Sequence, residues 1–230
     1  GLMGLMAHRP AQPQGVVFDM DGTLIDTERL AHAAFRLAIA DLGFAYREEV
    51  YALCLGGSYQ GTRSTLAAAY GPQLDLDLFN QRWNRRFVEE EKRSPIRLKP
   101  GIEQLLERLQ DLYIPMAVAT SNNRSASESA LEQVGIRDRF QGLVCADDVS
   151  RAKPDPEPYL RACALLDIGA AGAWALEDSD VGTAAAVAAG LRVFQIPDAR
   201  PPAAETLALG HEVIGRADEL LTLLDSSPPK

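Results

Sequence analysis

Short apolar runs recur near residues 15–19, 116–120, 142–145, 173–176 and 191–196, and from about residue 101 onward helical patterns separate them. Runs of this length predict buried strands, and their alternation with helices predicts a parallel sheet covered by helices. Ile102, Leu105, Leu106, Leu109 and Leu112 follow the i, i+3, i+4, i+7 rule between Pro100 and Pro115. They predict a helix whose apolar face packs on the sheet. Tyr159, Cys163 and Leu166 mark a second stripe, and Leu220, Leu221 and Leu224 a short final one. Stripes of this kind predict core packing.

The pattern changes between the first two strands. Roughly a hundred residues lie there, too many for an ordinary connection between sheet neighbours, so an inserted domain is predicted. Its sequence reads as all-helical. Thr27 can cap a helix running to Gly43, a suitable residue just past a helix end. Further helices are expected over Arg47–Leu55, over Thr62–Tyr70 ahead of Gly71-Pro72, and from Leu76 to about Glu91. In the last of these Leu76, Phe79, Trp83 and Phe87 share a face. Ser94-Pro95 and Lys99-Pro100 bracket the return. The expected division is a tail at 1–14, an α/β core at 15–27 and 96–230, and a helical insertion at 28–95. The tail has no basic segment ahead of a long apolar stretch, so it is expected to be loose chain rather than a signal peptide.

Chemistry gathers where the strands end. Asp19-Met20-Asp21-Gly22-Thr23 sets two carboxylates two residues apart beyond the first strand, with Gly22 permitting a sharp turn. In open α/β sheets ligands bind beyond the carboxyl ends of the strands. The second strand runs into Thr120-Ser121-Asn122. Lys153 sits in Arg151-Ala152-Lys153-Pro154-Asp155-Pro156, where Asp155 is a candidate N-cap and Pro156 a first helical residue. A later strand ends in Glu177-Asp178-Ser179, followed by Gly182 and an alanine-rich helix closed by Gly190. Taken singly these are a solvated turn, a helix cap, a surface lysine and an acidic helix start. Their joint occurrence, in order, points to one site.

The four segments together resemble the haloacid dehalogenase-like hydrolase superfamily, in its phosphatase and phosphomutase branch, over nearly the whole chain from Gly15 to Leu224. The resemblance implies a Rossmann-like three-layer α/β core with a parallel sheet, and an inserted all-α cap that opens and closes over the strand ends. It implies a phosphatase of small phosphorylated metabolites. Asp19 would be the nucleophile that forms an aspartyl-phosphate, and Asp21 the general acid and base. Mg²⁺ would be held by Asp19, the Asp21 carbonyl and Asp178, with Glu177 direct or through water. Thr120, Ser121, Asn122 and Lys153 would bind the phosphate. Arg63, near the Gly56–Gly61 stretch, is the candidate for a second anionic group of the substrate. A sugar phosphomutase of the β-phosphoglucomutase type shares the core motifs, but it carries a histidine twelve residues beyond the nucleophile, where this chain has Ala31 with His32 one place on. A non-catalytic binding module on the same fold is the reading from a different class, against which the intact Asp19, Asp21, Lys153 and Asp178 speak.

Charge and cysteines narrow the setting. Lys plus Arg number 23 and Asp plus Glu 32, a formal net charge of −9. That balance argues against non-specific binding to nucleic acid or anionic membranes. No apolar run approaches membrane-spanning length. Cys54, Cys145 and Cys163 lack a metal or redox spacing and read as reduced thiols, which suits a cytoplasmic protein. His8, His32 and His211 show no triad or zinc pattern and are expected to be structural or on the surface.

Overall fold

Where both faces of a strand must be dry, its residues are apolar throughout rather than alternating, and that is how the strands Gly15–Phe18 and Met116–Ala119 are built. The structure, a computed structural model, describes residues 12–55 and 59–225. Among these residues the strands are β1 (Gly15–Phe18), β2 (Met116–Ala119), β3 (Gly142–Val144), β4 (Ala173–Glu177), β5 (Arg192–Gln195) and β6 (Glu212–Val213). The helices are α1 (Thr27–Asp41), α2 (Glu48–Cys54), α3 (Tyr59–Tyr70), α4 (Leu76–Arg93), α5 (Ile102–Asp111), α6 (Arg124–Gln133), α7 (Glu157–Leu165), α8 (Asp180–Ala189), α9 (Ala204–Leu207) and α10 (Leu220–Asp225). The six strands pair in parallel in the order β3-β2-β1-β4-β5-β6. β1 is therefore central, and the strand order reverses beside it, the place where such sheets open a ligand crevice.

The pleat sorts the side chains into two apolar layers. Val16, Phe18, Met116, Val118, Trp174 and Leu176 face a cluster completed by α5, Leu131 of α6 and Leu220 and Leu224 of α10. Val17, Ala117, Ala119 and Ala175 face the other way, against Tyr159 and Cys163 of α7 and Ala185 and Ala186 of α8. Small residues dominate this second face, so α7 and α8 can approach the sheet closely. The predicted stripes of α5, α7 and α10 are all core.

Helices α1 to α4 form a separate group with its own apolar cluster around Phe35, Ile39, Leu66 and Phe79. The Phe35 ring lies 5.3 Å from that of Phe79 and 5.4 Å from that of Trp83, both edge-on. Entry and exit of this group run side by side. Ile25 and Leu98 form an antiparallel bridge, and the Asp26 amide donates to the Arg97 carbonyl at 3.0 Å. The Arg97 amide returns a bond to Asp26 Oδ1 at 2.7 Å, and Arg29 donates to Ser94 Oγ and the Pro95 carbonyl.

Several local expectations shift. α1 begins at Thr27 itself, whose hydroxyl is turned to the strand ends instead of capping, and the flanking Asp26 makes no side-chain cap bond. Gly43 follows the helix with φ +82° as expected. α3 starts at Tyr59 rather than Thr62, because Gly61 costs a helix only about 1 kcal/mol and does not stop it. α7 starts at Glu157, one residue later than predicted, although Asp155 Oδ1 still accepts from the Glu157 amide at 2.9 Å. β6 adds a strand that no pattern predicts, since Glu212 and Val213 are both exposed and form no apolar run. Residues 1–11 of the expected tail, and Gly56–Ser58, lie outside the described residues. No helix among the described residues is long and apolar enough to cross a membrane.

Candidate active site

β1 delivers Asp19 directly to the sheet end, where its amide donates to the Leu176 carbonyl at 3.0 Å, continuing the strand pairing by one residue. The chain then turns tightly, with the amides of Thr23, Leu24 and Ile25 all directed at the Met20 carbonyl. Gly22 makes the turn possible. Its φ is +80°, and a Cβ there would stand 2.2 Å from Asp178 Oδ2. The same turn brings Thr23 Oγ1 to 3.2 Å from Asp19 Oδ2 and 3.3 Å from Asp178 Oδ1. It also sets Asp21 against α1, where Thr27 Oγ1 donates to Asp21 Oδ1 at 2.5 Å.

Behind Asp19 lies a buried ion cluster. Lys153 is only 5% exposed, and its ammonium donates to Asp19 Oδ1 at 2.9 Å, Glu177 Oε1 at 2.7 Å and the Ala119 carbonyl at 2.9 Å. All three of its protons are thereby directed. Glu177, fully buried, also accepts the Tyr159 hydroxyl at 2.5 Å. Burial alone would push the Lys153 ammonium down, but the Asp19 and Glu177 carboxylates together hold it above its ordinary value. The acids shift for the opposite reason: burial and then the Asp19 charge push Asp178 well above the usual carboxylate range. Asp21 is raised by burial, opposed by the Thr27 hydrogen bond, with the Asp19 charge adding to the rise.

Burial is the larger cause of these shifts, and the mutual repulsion of the acids adds to it. Asp19, Asp21, Glu177 and Asp178 share the site with a single lysine, which bonds Asp19 and Glu177. Asp19, Glu177 and Asp178 each offer a carboxylate oxygen, and these oxygens all lie within 4.8 Å of one another. A hard, all-oxygen donor set with surplus charge fits a divalent cation. Thr120, Ser121 and Asn122 follow directly from β2. The Thr120 amide pairs with the Val144 carbonyl, Thr120 Oγ1 accepts the Asn122 amide at 3.1 Å, and Asn123 Oδ1 caps α6 through the Ala126 amide at 2.8 Å.

All of this opens on a cavity of about 800 Å³. Asp19, Asp21, Thr120, Ser121, Asn122 and Asp178 line one side of it, and residues of α1, α2, α3 and α4, with Ala126, Ala146 and Asp147, line most of the rest. The structure thus brings together Asp19, Asp21, Thr120, Ser121, Asn122, Lys153, Glu177 and Asp178. Arg63 is placed elsewhere: its guanidinium donates to Asp77 at 2.9 Å and to the Tyr59 hydroxyl at 3.1 Å, and it is not among the residues lining the cavity. His32 stacks on Tyr51 and bonds the Tyr46 hydroxyl, and His211 bonds Gln195.

Three participants escape sequence reasoning. Thr23 and Thr27 look like turn and cap residues, and only the turn geometry directs their hydroxyls at carboxylates. Tyr159 belongs to an apolar stripe, and its hydroxyl gives no signal in sequence. Gly182 matters for the same hidden reason. A Cβ at Gly182 would fall 2.1 Å from the Glu177 carboxyl carbon. Gly182→Ala is therefore expected to displace Glu177 from Lys153, lowering stability by about 1–3 kcal/mol in urea unfolding and kcat about tenfold through misplacement of the reacting groups.

A family model described as haloacid dehalogenase-like hydrolase matches residues 16–196. The phosphorylated carbohydrates phosphatase of Thermotoga maritima is 29% identical over 216 residues, 92% of this chain and 98% of that protein. Protein CbbY of Cereibacter sphaeroides is 32% identical over 217 residues, 90% of this chain and 91% of its own. Among solved structures, CbbY from Rhodobacter sphaeroides in complex with phosphate matches with a TM-score of 0.77 at 28% identity, over 93% of this chain and 100% of that one.

Proposed function

Because this chain belongs to the haloacid dehalogenase-like hydrolases and is a phosphatase of that family, we propose that it hydrolyses the phosphate monoester of a small carbohydrate-like alcohol through a phosphoenzyme formed on Asp19. The observation that carries the reading is the pairing of Asp19 with buried Lys153 at the sheet end, with Asp21 beside it under a helix-walled cavity.

A carboxylate is a competent nucleophile at phosphorus, and Asp19 takes that role. Its Oδ2, the oxygen not held by Lys153, attacks phosphorus, the P–O bond to the alcohol breaks, and Asp21 gives its proton to the departing oxygen. The raised Asp21 is suited to holding that proton. Water then attacks the phosphorus of the aspartyl-phosphate, Asp21 takes a proton back, and Asp19 is released with inorganic phosphate. Lys153 fixes the Asp19 carboxylate, while Thr120 and the amides near Ser121 and Asn122 orient the phosphoryl oxygens. Mg²⁺ would be held by Asp19, the Asp21 carbonyl and Asp178, with Glu177 direct or through water, and would supply charge neutralisation for phosphate and carboxylates together. Residues 28–95 serve as a cap over residues 15–27 and 96–230, pivoting at the paired linkers to admit substrate and exclude water. With three free thiols, we place the enzyme in the reducing cytoplasm.

The test is phosphate release from a panel of phosphorylated sugars with Mg²⁺ and with chelator. We expect chelation to lower turnover at least about 100-fold, the scale of a lost charge-stabilising group. Release that is indifferent to metal, or absent throughout the panel, overturns the proposal.

A further inference from the structure

The wall that meets the alcohol half of the ester is built without cations. Tyr51, Tyr59, Trp83 and Phe87 line it, and Trp83 already gives its indole N–H to the Ala31 carbonyl at 3.0 Å. Asn80 and Asn84, one turn apart on α4, add amides that have no hydrogen-bond partner among the described residues. Aromatic carbon and free amides are suited to the flat C–H face and hydroxyls of a neutral polyol.

None of the described residues lining the cavity is Lys, Arg or His. Five are acids, because Glu28 of α1 and Asp147 beyond β3 join Asp19, Asp21 and Asp178. The arginines of the insertion face other partners: Arg63 pairs with Asp77, Arg82 and Arg86 with Asp41, Arg47 with Glu49, Arg85 with Glu89, Arg93 with Glu90 and Arg29 with Asp26, and Arg36 lies over the Tyr46 ring. Lys153 is taken up by Asp19, Glu177 and the Ala119 carbonyl. The reacting phosphoryl group would meet the cation site formed by Asp19, Glu177 and Asp178. A second anion would not.

We propose that the insertion is a charge filter: the site takes esters bearing one phosphoryl group on an uncharged alcohol and rejects bisphosphates and phosphorylated acids of similar size. Burying an anion without a counter-charge is costly, and specificity arises from such penalties as much as from attraction to the preferred substrate. The filter rests on the phosphatase reading above.

Two matched pairs test it with Mg²⁺ present: 4-carbamoylphenyl against 4-carboxyphenyl phosphate, and fructose 1-phosphate against fructose 1,6-bisphosphate. We expect kcat/KM to favour the neutral member at least 30-fold in each pair. Asn84→Arg, an exposed helix position changed to a good helix former, is expected to narrow that ratio at least tenfold. Equal or faster turnover of the charged members overturns the filter while leaving the phosphatase standing. A ratio unchanged by Asn84→Arg overturns its assignment to this wall. No release from any of the four esters overturns the phosphatase reading, and the filter with it.

Discussion

Asp19→Asn is expected to lose turnover by a factor on the order of 10⁴ or more while keeping the fold. The amide is nearly isosteric, and its oxygen can still accept the Lys153 ammonium, which lies 2.9 Å from Asp19 Oδ1. What disappears is the carboxylate proposed to attack phosphorus. Stability should change by less than about 1 kcal/mol, because one carboxylate leaves an overcrowded cluster while one charged partner is withdrawn from Lys153. The measurements are steady-state phosphate release, thermal melting and acid-quench trapping of phosphoenzyme. A folded variant retaining a hundredth of wild-type turnover would remove Asp19 from its assigned role.

Lys153→Met tests the opposite charge. The substitution keeps the side chain's bulk but leaves Glu177 and Asp19 facing each other at 0% and 8% exposure. Removing one partner of a buried ion pair costs about 3–5 kcal/mol, and kcat should fall by at least about 100-fold as Asp19 loses its anchor. The sign with pH follows from Glu177. Burial and the Asp19 charge already raise its carboxyl, and without the ammonium it rises further. A carboxyl whose folded pKa exceeds its unfolded one weakens the fold at high pH, and the penalty fades as pH falls toward the ordinary carboxyl range. Urea titrations should therefore show the variant's deficit shrinking between pH 8 and pH 5. A deficit that grows on acidification would sink this account of the cluster.

Much of this site is legible in the sequence because parallel sheets put chemistry at strand ends. Asp19, Thr120 and Glu177–Asp178 each close an apolar run, so the residues and their approximate placement can be read together. Lys153 is legible only by its place in a series. The insertion is legible as a length, and its helices as patterns, but not its cavity. Trp83 and Phe87 read as one apolar face with Leu76 and Phe79, and nothing in a period of 3.6 separates the part that packs on Phe35 from the part that lines the cavity. Arg63 shows the limit from the other side. A loop-adjacent arginine suggests an anion site, yet Asp77, fourteen positions along the chain, is the anion it meets. Partner choice at that separation depends on tertiary packing, which composition does not encode.

The paired linkers at Ile25 and Leu98 have a consequence for how such a protein can change over generations. Because the chain leaves the sheet and returns to it at neighbouring points, the core experiences the whole insertion as a short, already closed hairpin. Rewriting the helices beyond it changes neither the register of β1 nor the aim of Asp19. Under the proposed cap, the walls that select the ester can change largely apart from the strand ends, with Thr27, which holds Asp21, as the point where the two remain joined.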